Sequence, residues 1–263
     1  MNRIKGFFSL TALLAGVVAT FSLSSCSDSN TTTNNNNNNG PVTPKAGSTY
    51  TYNQHYYDKT PDGVNENDST KTSTIISSNE SFMGKTNVIR SVQDGDTTIY
   101  SIADNGDVYI YVDHITQNVA GENMTFVPPI KWLPLFFGSR GNTQATLYSA
   151  DTAIVLSSVG LTINVNVLTK AKYLGTDTLT IAGKPKATGY KSQITYDITA
   201  TSAFPPVSLV INTAQLYSFD ATLGNFFHTI STLHNPGLSL GTFNLPSDDL
   251  KIEDTLQAYT IVK

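Results

Sequence analysis

The residue groups that could carry out chemistry are few, and the first is a serine motif. Gly237-Leu238-Ser239-Leu240-Gly241 fits the G-x-S-x-G pattern of serine hydrolases. In those enzymes the serine lies on a strand-to-helix turn, and an acid and then a histidine follow it in sequence. Here all four histidines precede Ser239, and Pro246 follows where the helix would be needed. We therefore interpret the motif as a glycine-flanked turn.

The histidines do not have the spacing of a metal site. His228 and His234 are six residues apart, and on one strand this separates them by roughly 20 Å at about 3.3 Å per residue. Two ligands of one ion lie much closer together than that. We expect each histidine to hydrogen-bond separately at the surface, and we predict no metal and no cofactor.

Two acidic clusters could hold calcium or form a catalytic carboxylate pair. They are Asp58, Asp62, Glu66 and Asp68, and Asp248, Asp249, Glu253 and Asp254. The spacing of the first cluster fits no EF-hand loop of about twelve residues, so a solvated hairpin tip is predicted. The second cluster could suit glycoside hydrolysis, but the sequence indicates no cleft, and a polar connection is the simpler interpretation. With no nucleophile–base pair, metal set or phosphate loop, we expect a protein that is not an enzyme.

Turn signals indicate that β-strands position these groups. Met83-Gly84-Lys85, Asp94-Gly95 and Asn105-Gly106 each separate two strand-like runs. Asp-Gly and Asn-Gly favour the type I′ turns of hairpins. The sequence therefore predicts an all-β domain, a meander of about a dozen antiparallel strands. The segment from Pro246 to Gln257 is the best candidate for a short helix, with Ser247 as its cap.

Alternation within one run predicts two different faces. In "DVYIYVD", Val108, Ile110 and Val112 point to one side of the strand, and Tyr109 and Tyr111 point to the other. One face is aliphatic and the other is aromatic. Either both faces are covered, or one of them binds a ligand.

The most unusual segment runs from Phe126 to Gly138 and contains three prolines and the only tryptophan. Prolines exclude a central strand, so a loop or an edge strand is predicted. An apolar loop either packs as core across the open end of the sheet, or meets a ligand, a partner or a membrane. The candidate ligand-binding residues are Trp132, Leu135, Phe136, Phe137, Tyr109 and Tyr111.

The N-terminal segment has the layout of a secretory signal. Arg3 and Lys5 precede an uncharged apolar stretch from Gly6 to Val18, which is too short to span a bilayer. Leu23-Ser24-Ser25-Cys26 then resembles the lipobox of bacterial lipoprotein precursors. The resemblance implies that residues 1–25 are removed and that Cys26, the only cysteine, carries a diacylglycerol. The alternative is an ordinary secreted protein whose cysteine lies near the cleavage site by chance.

The chain after the signal divides into a tether and one domain. Residues 26–46 are predicted to be a polar tether, because Asn34 to Asn39 and the flanking threonines have no hydrophobic period. Ser27 implies the outer membrane by the sorting rule of the lipoprotein family. Residues 47–263 suit a single β domain. The net charge of -4, with 14% of residues charged, excludes a nucleic-acid-binding surface.

A second resemblance concerns the domain. "AKYLGTDTLTIAGKPKATGYKSQITYDIT" and "LYSFDATLGNFFHTIS" resemble patterns in curved half-barrel envelope proteins, a group that includes the bacterial lipoprotein carriers. "PKAGSTYTY" (Pro44 to Tyr52) resembles their entry strand. The resemblance implies a single, strongly curved antiparallel sheet, a half-barrel or an open barrel. With the aromatic face and the Trp132 segment, it favours a lipid-anchored, non-enzymatic envelope protein that binds or shields a hydrophobic ligand. The alternative is a structural or surface-interaction protein with a packed core and no pocket.

Lipidation of Cys26 gives a direct test of the predicted anchor. Because Cys26 is the only cysteine and closes the apolar signal segment, radiolabelled palmitate should enter the wild-type protein and should not enter Cys26→Ala. Equal labelling of the two proteins would contradict the lipoprotein assignment.

Overall fold

The computed structural model describes residues 41–104, 106–119, 122–135, 144–156, 161–203, 206–240, 243–245 and 247–262. Strands dominate these ranges, and no helix that could cross a membrane occurs in them. The strands are β1 (Thr49–Thr60), β2 (Gly63–Phe82), β3 (Lys85–Gln93), β4 (Asp96–Ile102), β5 (Val108–Tyr111), β6 (Ile115–Val119), β7 (Glu122–Phe126), β8 (Trp132–Leu135), β9 (Gln144–Leu156), β10 (Leu161–Leu179), β11 (Ala187–Ala203), β12 (Pro206–Asp220), β13 (Asn225–Asn235), β14 (Leu238–Leu240), β15 (Phe243–Leu245) and β16 (Asp248–Thr260).

Twelve of the strands form one antiparallel sheet in the order β8-β5-β4-β3-β2-β1-β16-β13-β12-β11-β10-β9. The sheet curves until it is nearly closed into a barrel, with one seam. β6 pairs with β7, and β14 pairs with β15, as separate two-stranded ribbons. The predicted class, an all-β protein with a single strongly curved antiparallel sheet, is confirmed. β8, from the proline-containing segment, lies at one edge of the sheet.

The hairpin turns form where the sequence predicts them. Met83 and Gly84 join β2 to β3 with φ angles of 47° and 78°, and Asp94 and Gly95 join β3 to β4 with φ angles of 53° and 90°. Positive φ at both central residues is the conformation of a type I′ turn, which matches the twist of the flanking strands. Asn105 lies outside the described residues.

The predicted helix from Pro246 to Gln257 is wrong, because Asp248 to Gln257 belong to strand β16; Pro246 lies outside the described residues. Every second residue from Leu250 to Leu256 faces inward. Leu250, Ile252 and Leu256 are buried, and Asp254 occupies the position between the last two. That spacing is the two-residue period of a strand with one buried face. Because the residue at that inward position is acidic, the alternation of apolar residues that indicates a strand is interrupted in the sequence.

One end of the sheet is filled by the turn between β12 and β13, residues 221–224. The Tyr50 hydroxyl donates a hydrogen bond to the Leu223 carbonyl at 2.8 Å, and the Tyr100 hydroxyl donates to the Gly224 carbonyl at 3.0 Å. Both tyrosine side chains are fully buried. Burial raises the pKa of Tyr100 well above its usual value, so its hydroxyl stays protonated and remains a donor.

The first described residues pack against the same turn. The Val42 amide donates to the Ala221 carbonyl at 2.7 Å. A Cβ atom at Gly224, where φ is +62°, would lie 2.1 Å from the Val42 carbonyl oxygen. Only glycine allows this close approach of the two backbones. Val42, within the predicted tether, therefore packs against this end of the sheet, which we name the closed end.

Removal of one buried hydroxyl tests how strongly the turn is held. Tyr100→Phe deprives the buried Gly224 carbonyl of its donor, so we expect the free energy of unfolding to fall by about 1–2 kcal/mol. Tyr57→Phe, on the outer face of β1, is the matched control and should change it by less than about 0.5 kcal/mol. Urea unfolding measures both. Equal losses in the two variants would show that the turn does not depend on the hydroxyl.

Candidate functional site

A cavity of about 290 Å³ lies on the inner side of the sheet, beside the turn that joins the end of β3 to the start of β4. It is bounded by strands that are far apart in sequence, because β1 pairs with both β2 and β16. The lining residues are Tyr52, Gln54, Lys71, Ser73, Ser91, Gln93, Asp94, Asp96, Thr98, Ile110, Tyr217, Asn225, Phe226, Thr229, Ser231 and Asp254. Most of them are polar, which sets the cavity apart from the aliphatic core beside it.

A row of three polar residues crosses the cavity wall. Gln54 of β1 lies opposite Asp254 of β16, which lies opposite Thr229 of β13. The Gln54 amide donates to Asp254 Oδ1 at 2.9 Å, and the Thr229 hydroxyl donates to Asp254 Oδ2 at 3.4 Å. Burial nevertheless raises the pKa of Asp254 above its usual value. The site therefore holds a carboxyl group whose charge is poorly solvated.

Three buried serines add hydroxyl groups to the wall. Ser73, Ser91 and Ser231 are 8%, 7% and 6% exposed and line the cavity. Within the described part of the chain, their hydroxyls hydrogen-bond to no other residue. Buried polar groups in folded proteins are nearly always hydrogen-bonded. The three hydroxyls are thus available to polar groups that enter the cavity.

The floor of the cavity is aromatic. Tyr52, Tyr217 and Phe226 contribute their rings, and the centroids of Tyr217 and Phe226 are 5.4 Å apart. The Tyr52 hydroxyl donates to the Phe226 carbonyl at 2.8 Å, and the Asn225 amide donates to the Tyr52 hydroxyl oxygen at 3.3 Å. These bonds hold the rings in place. The floor therefore offers a rigid apolar surface beneath polar walls.

Charged residues surround the mouth of the cavity. The Lys71 ammonium forms an ion pair with the Asp94 carboxylate, which lies in the turn between β3 and β4. Burial, and then the charge of Asp94, raise the pKa of Asp96 above its usual value. Lys71 is the only cationic side chain among the described lining residues, and Asp94, Asp96 and Asp254 are the acidic ones.

The candidate residues of the proline-containing segment lie elsewhere. Leu133 and Leu135 of β8 are fully buried in the core. Trp132, on the same strand, pairs with Tyr111 of β5 on the opposite, outer face. Tyr109 also lies on that outer face, where the Lys85 ammonium is 3.3 Å from the centre of its ring. Phe136 and Phe137 lie outside the described residues.

Trp132 belongs to a group of rings that we name the outer aromatic cluster, formed by Phe82, Tyr111 and Trp132. The ring centroids of Phe82 and Tyr111 are 5.0 Å apart, and those of Tyr111 and Trp132 are 5.2 Å apart. The Trp132 indole donates to the Met83 carbonyl at 3.1 Å. None of these residues lines the cavity. A ligand role for Trp132, Tyr109 and Tyr111 stays a prediction, and such a ligand would contact them on the outer face of the sheet.

The histidines and the serine motif take separate positions. The His228 ring nitrogens lie 3.4 Å from Asp177 Oδ2 and 2.9 Å from Glu253 Oε1, whereas His234 pairs with Asp249. Among the described residues, no group of three or more side chains is arranged to hold a metal ion. Ser239 lies within strand β14 and not on a strand-to-helix turn.

The structure also brings together a carboxyl pair that the sequence did not indicate. The prediction of a solvated position is wrong for Asp58, which is only 4% exposed and hydrogen-bonds with Asp248. The Tyr56 hydroxyl donates to Asp58 Oδ2 at 3.2 Å. Burial, then the shared hydrogen bond and the charge of Asp58, raise the pKa of Asp248 to about 6. The burial of Asp58 could have been predicted from the alternation of side chains along β1, which turns Tyr52, Tyr56 and Asp58 to the same face.

Comparison with known proteins gives no independent guide to function. Nothing among protein-family models, curated proteins or solved structures matches this chain. The resemblances to lipoprotein precursors and to half-barrel envelope proteins therefore stay expectations that depend on the quoted sequence motifs. The function has to be argued from the cavity and from the surface of the domain.

The Asp58–Asp248 pair predicts a pH dependence of stability. The folded protein holds a proton on Asp248 up to about pH 6, whereas the unfolded chain releases it near 3.8. Stability should therefore be highest below pH 4 with respect to this group, and should fall as pH rises through 6. The loss should be roughly 1 kcal/mol, because water screens the partly exposed Asp248.

Urea unfolding between pH 4 and pH 7 measures this effect in wild type and Asp248→Asn. The substitution should flatten the pH dependence in this interval, because the amide cannot titrate. Asp62→Asn, at the exposed turn between β1 and β2, is the control and should keep the wild-type profile. An unchanged profile in Asp248→Asn would contradict the shared proton.

Proposed function

We propose that this protein binds a small, hydroxyl-rich ligand of monosaccharide size in its inner cavity, while anchored to the cell envelope. The observation that carries the proposal is the set of three largely buried serines, Ser73, Ser91 and Ser231, which line one cavity and whose hydroxyls bond to no other described residue. The sequence favoured a hydrophobic ligand. The polar walls support a ligand with many hydrogen-bonding groups instead.

The size of the cavity supports a small ligand. Its volume of about 290 Å³ is at the lower end of ligand pockets, which are usually about 300–1,000 Å³. A lipid with two long acyl chains needs a longer apolar channel than this. A single sugar ring, or a molecule of similar size, is the better match.

The chemistry of the lining supports the same class. Sugar hydroxyls both donate and accept hydrogen bonds, so they can pair with serine hydroxyls, with the amides of Gln54 and Gln93, and with the Asp254 carboxylate. The C–H face of a sugar ring is apolar and packs well against aromatic rings. Tyr52 and Phe226 supply such rings at the floor. No nucleophile is required for this role, and we propose a binding protein and not an enzyme.

The envelope location is proposed from the N-terminal sequence. The lipobox resemblance at Leu23 to Cys26, and Ser27 after it, support a lipid anchor and the outer membrane. Two or more acyl chains on Cys26 would bury methylene groups at ~0.8 kcal/mol each, enough for stable attachment. Because Val42 packs on the turn at the closed end, the tether enters the domain at the end where the turn of residues 221–224 lies.

A second candidate function is contact of the outer face with an apolar partner or lipid. Met83, whose carbonyl accepts the Trp132 hydrogen bond, is 63% exposed, and Val127 and Ile130 of the proline-containing segment are 59% and 41% exposed. Exposed apolar side chains grouped in this way often mark interaction sites. The hydrophobic ligand expected from the sequence would then meet this surface and not the inner cavity.

Binding of neutral sugars tests the proposed function. Saturation-transfer NMR with glucose, galactose and mannose should show contact of at least one sugar with the protein. The double variant Ser73→Val, Ser231→Val removes two hydroxyls and fills part of the cavity, so it should weaken binding by about tenfold or more, at about 1 kcal/mol per lost hydrogen bond. Absence of contact with every sugar, or equal contact in the variant, would contradict the proposal.

Two controls separate the cavity from the outer face. Thr72→Val lies between two cavity residues on β2 but faces outward, so it should leave sugar binding unchanged. Trp132 is the only tryptophan of the chain, and its emission therefore reports on the outer aromatic cluster. A saturable blue shift with phospholipid vesicles, without any sugar binding, would favour the second candidate. A structural protein with a packed core would show neither response.

A further inference from the structure

The charges that line the cavity do not balance. Its described lining holds three carboxyl groups, those of Asp94, Asp96 and Asp254, and one ammonium, that of Lys71. Lys71 pairs with Asp94. Within the described ranges, neither Asp96 nor Asp254 forms an ion pair with a protein cation. Asp96 and Asp254 are thus the two described lining carboxyl groups outside an ion pair. Burial raises the pKa of Asp254, and the charge of Lys71 acts on it in the opposite direction.

Asp254 is oriented by neutral groups that leave part of its bonding capacity unused. The Gln54 amide at 2.9 Å and the Thr229 hydroxyl at 3.4 Å occupy one site on each carboxylate oxygen. A carboxylate has about four acceptor sites, so further donors can approach from the cavity. A carboxylate in a confined site gains much from a cation at hydrogen-bond distance, because charge-assisted hydrogen bonds are about twice as strong as neutral ones.

The unpartnered serine hydroxyls make this more than an acidic cluster. Ser91 of β3 and Ser231 of β13 line the same cavity from two strands that β2, β1 and β16 separate in the sheet. Each serine is more than nine-tenths buried. Their hydroxyls hydrogen-bond to no other described residue. A ligand that fits must therefore present hydroxyl groups to the serines and a positive charge to the carboxyl groups.

We propose that the ligand of the cavity is an amino sugar, whose ammonium group hydrogen-bonds to Asp254 while its hydroxyls bind the serines. This inference rests on the proposed function and specifies the ligand class of the same site. Asp96, at the mouth, adds a second negative charge that attracts the cation. Lys71 is paired with Asp94, which offsets much of the repulsion between the Lys71 ammonium and the ligand's ammonium.

The charged groups around the site also give a pH signature. Lys71 on β2, Asp94 and Asp96 at the turn between β3 and β4, and Asp254 on β16 are the charged side chains in the lining, and Tyr52 and Tyr217 are its other titratable groups. β1 and β13 also contribute Gln54, Asn225, Thr229 and Ser231. Acidification keeps a sugar's amine charged and protonates the carboxyl groups. Affinity for an amino sugar should therefore fall at acid pH, whereas affinity for a neutral sugar should stay constant.

Isothermal titration of the full-length protein with glucosamine, glucose and N-acetylglucosamine tests the proposal. The three sugars share a ring, and only the first carries a free ammonium. Glucosamine should bind at least tenfold more tightly than glucose and N-acetylglucosamine. Asp254→Asn should weaken glucosamine binding at least tenfold and abolish the preference for glucosamine over glucose, because the amide keeps the shape of the carboxyl group and loses the charge. Asp62→Asn, far from the lining, should bind all three sugars as wild type does.

The outcomes separate this inference from the proposed function. Equal affinity for glucose and glucosamine would overturn the amino-sugar assignment and leave a neutral sugar site. Lack of binding by all three sugars would overturn both. If Asp254→Asn fails to fold, Asp96→Asn at the mouth and the pH series of the wild type replace it. A glucosamine affinity that does not change in either of these measurements would also overturn the role of the carboxyl groups.

Discussion

Three buried tyrosine hydroxyls hold the turn between β12 and β13, and the first residues of β13, inside the curved sheet. A turn that points into a core exposes carbonyl groups to a region without water, and each carbonyl must find a donor there. Tyr50, Tyr52 and Tyr100 donate to the carbonyls of residues 223, 226 and 224, respectively. The donors come from β1 and β4 and the acceptors from the β12–β13 turn and the start of β13, so these bonds join strands that are not neighbours in the sheet.

The cavity depends on the same bonds. Phe226 follows the turn directly and forms the cavity floor together with Tyr52, whose hydroxyl binds the Phe226 carbonyl. Above this floor the inward positions change from apolar to polar along β1, from Tyr52 to Gln54, and across β16 to Asp254. The closed end is thus an aromatic core, and the polar cavity begins one step further along the strands. Tyr52 therefore belongs both to the aromatic core of the closed end and to the floor of the cavity.

Much of the architecture could be predicted from the sequence because it depends on local signals. Asp94-Gly95 requires positive φ at both residues, and the alternation of Val108 and Ile110 with tyrosines reports the buried face directly. The site could not be predicted in the same way. Gln54 and Asp254 are 200 residues apart, and no periodicity shows that two distant strands pair. Trp132 was a candidate ligand-binding residue because it is a large aromatic residue. The face of the sheet that it occupies is set by the register of β8 on β5.

The position of β1 has a consequence for how the protein acquires its structure. β1 lies in the middle of the twelve-stranded sheet, between β2 and β16. The pairing of β1 with β2 is local and can form early. Its pairing with β16 joins the beginning and the end of the domain, and it requires closure of a very long loop. Folding should consequently be slow, as is usual when non-local contacts dominate. A chain that cannot complete its sheet until its last strand has been synthesised stays unfolded for longer, and an unfolded chain is the form that the proposed export across a membrane would require.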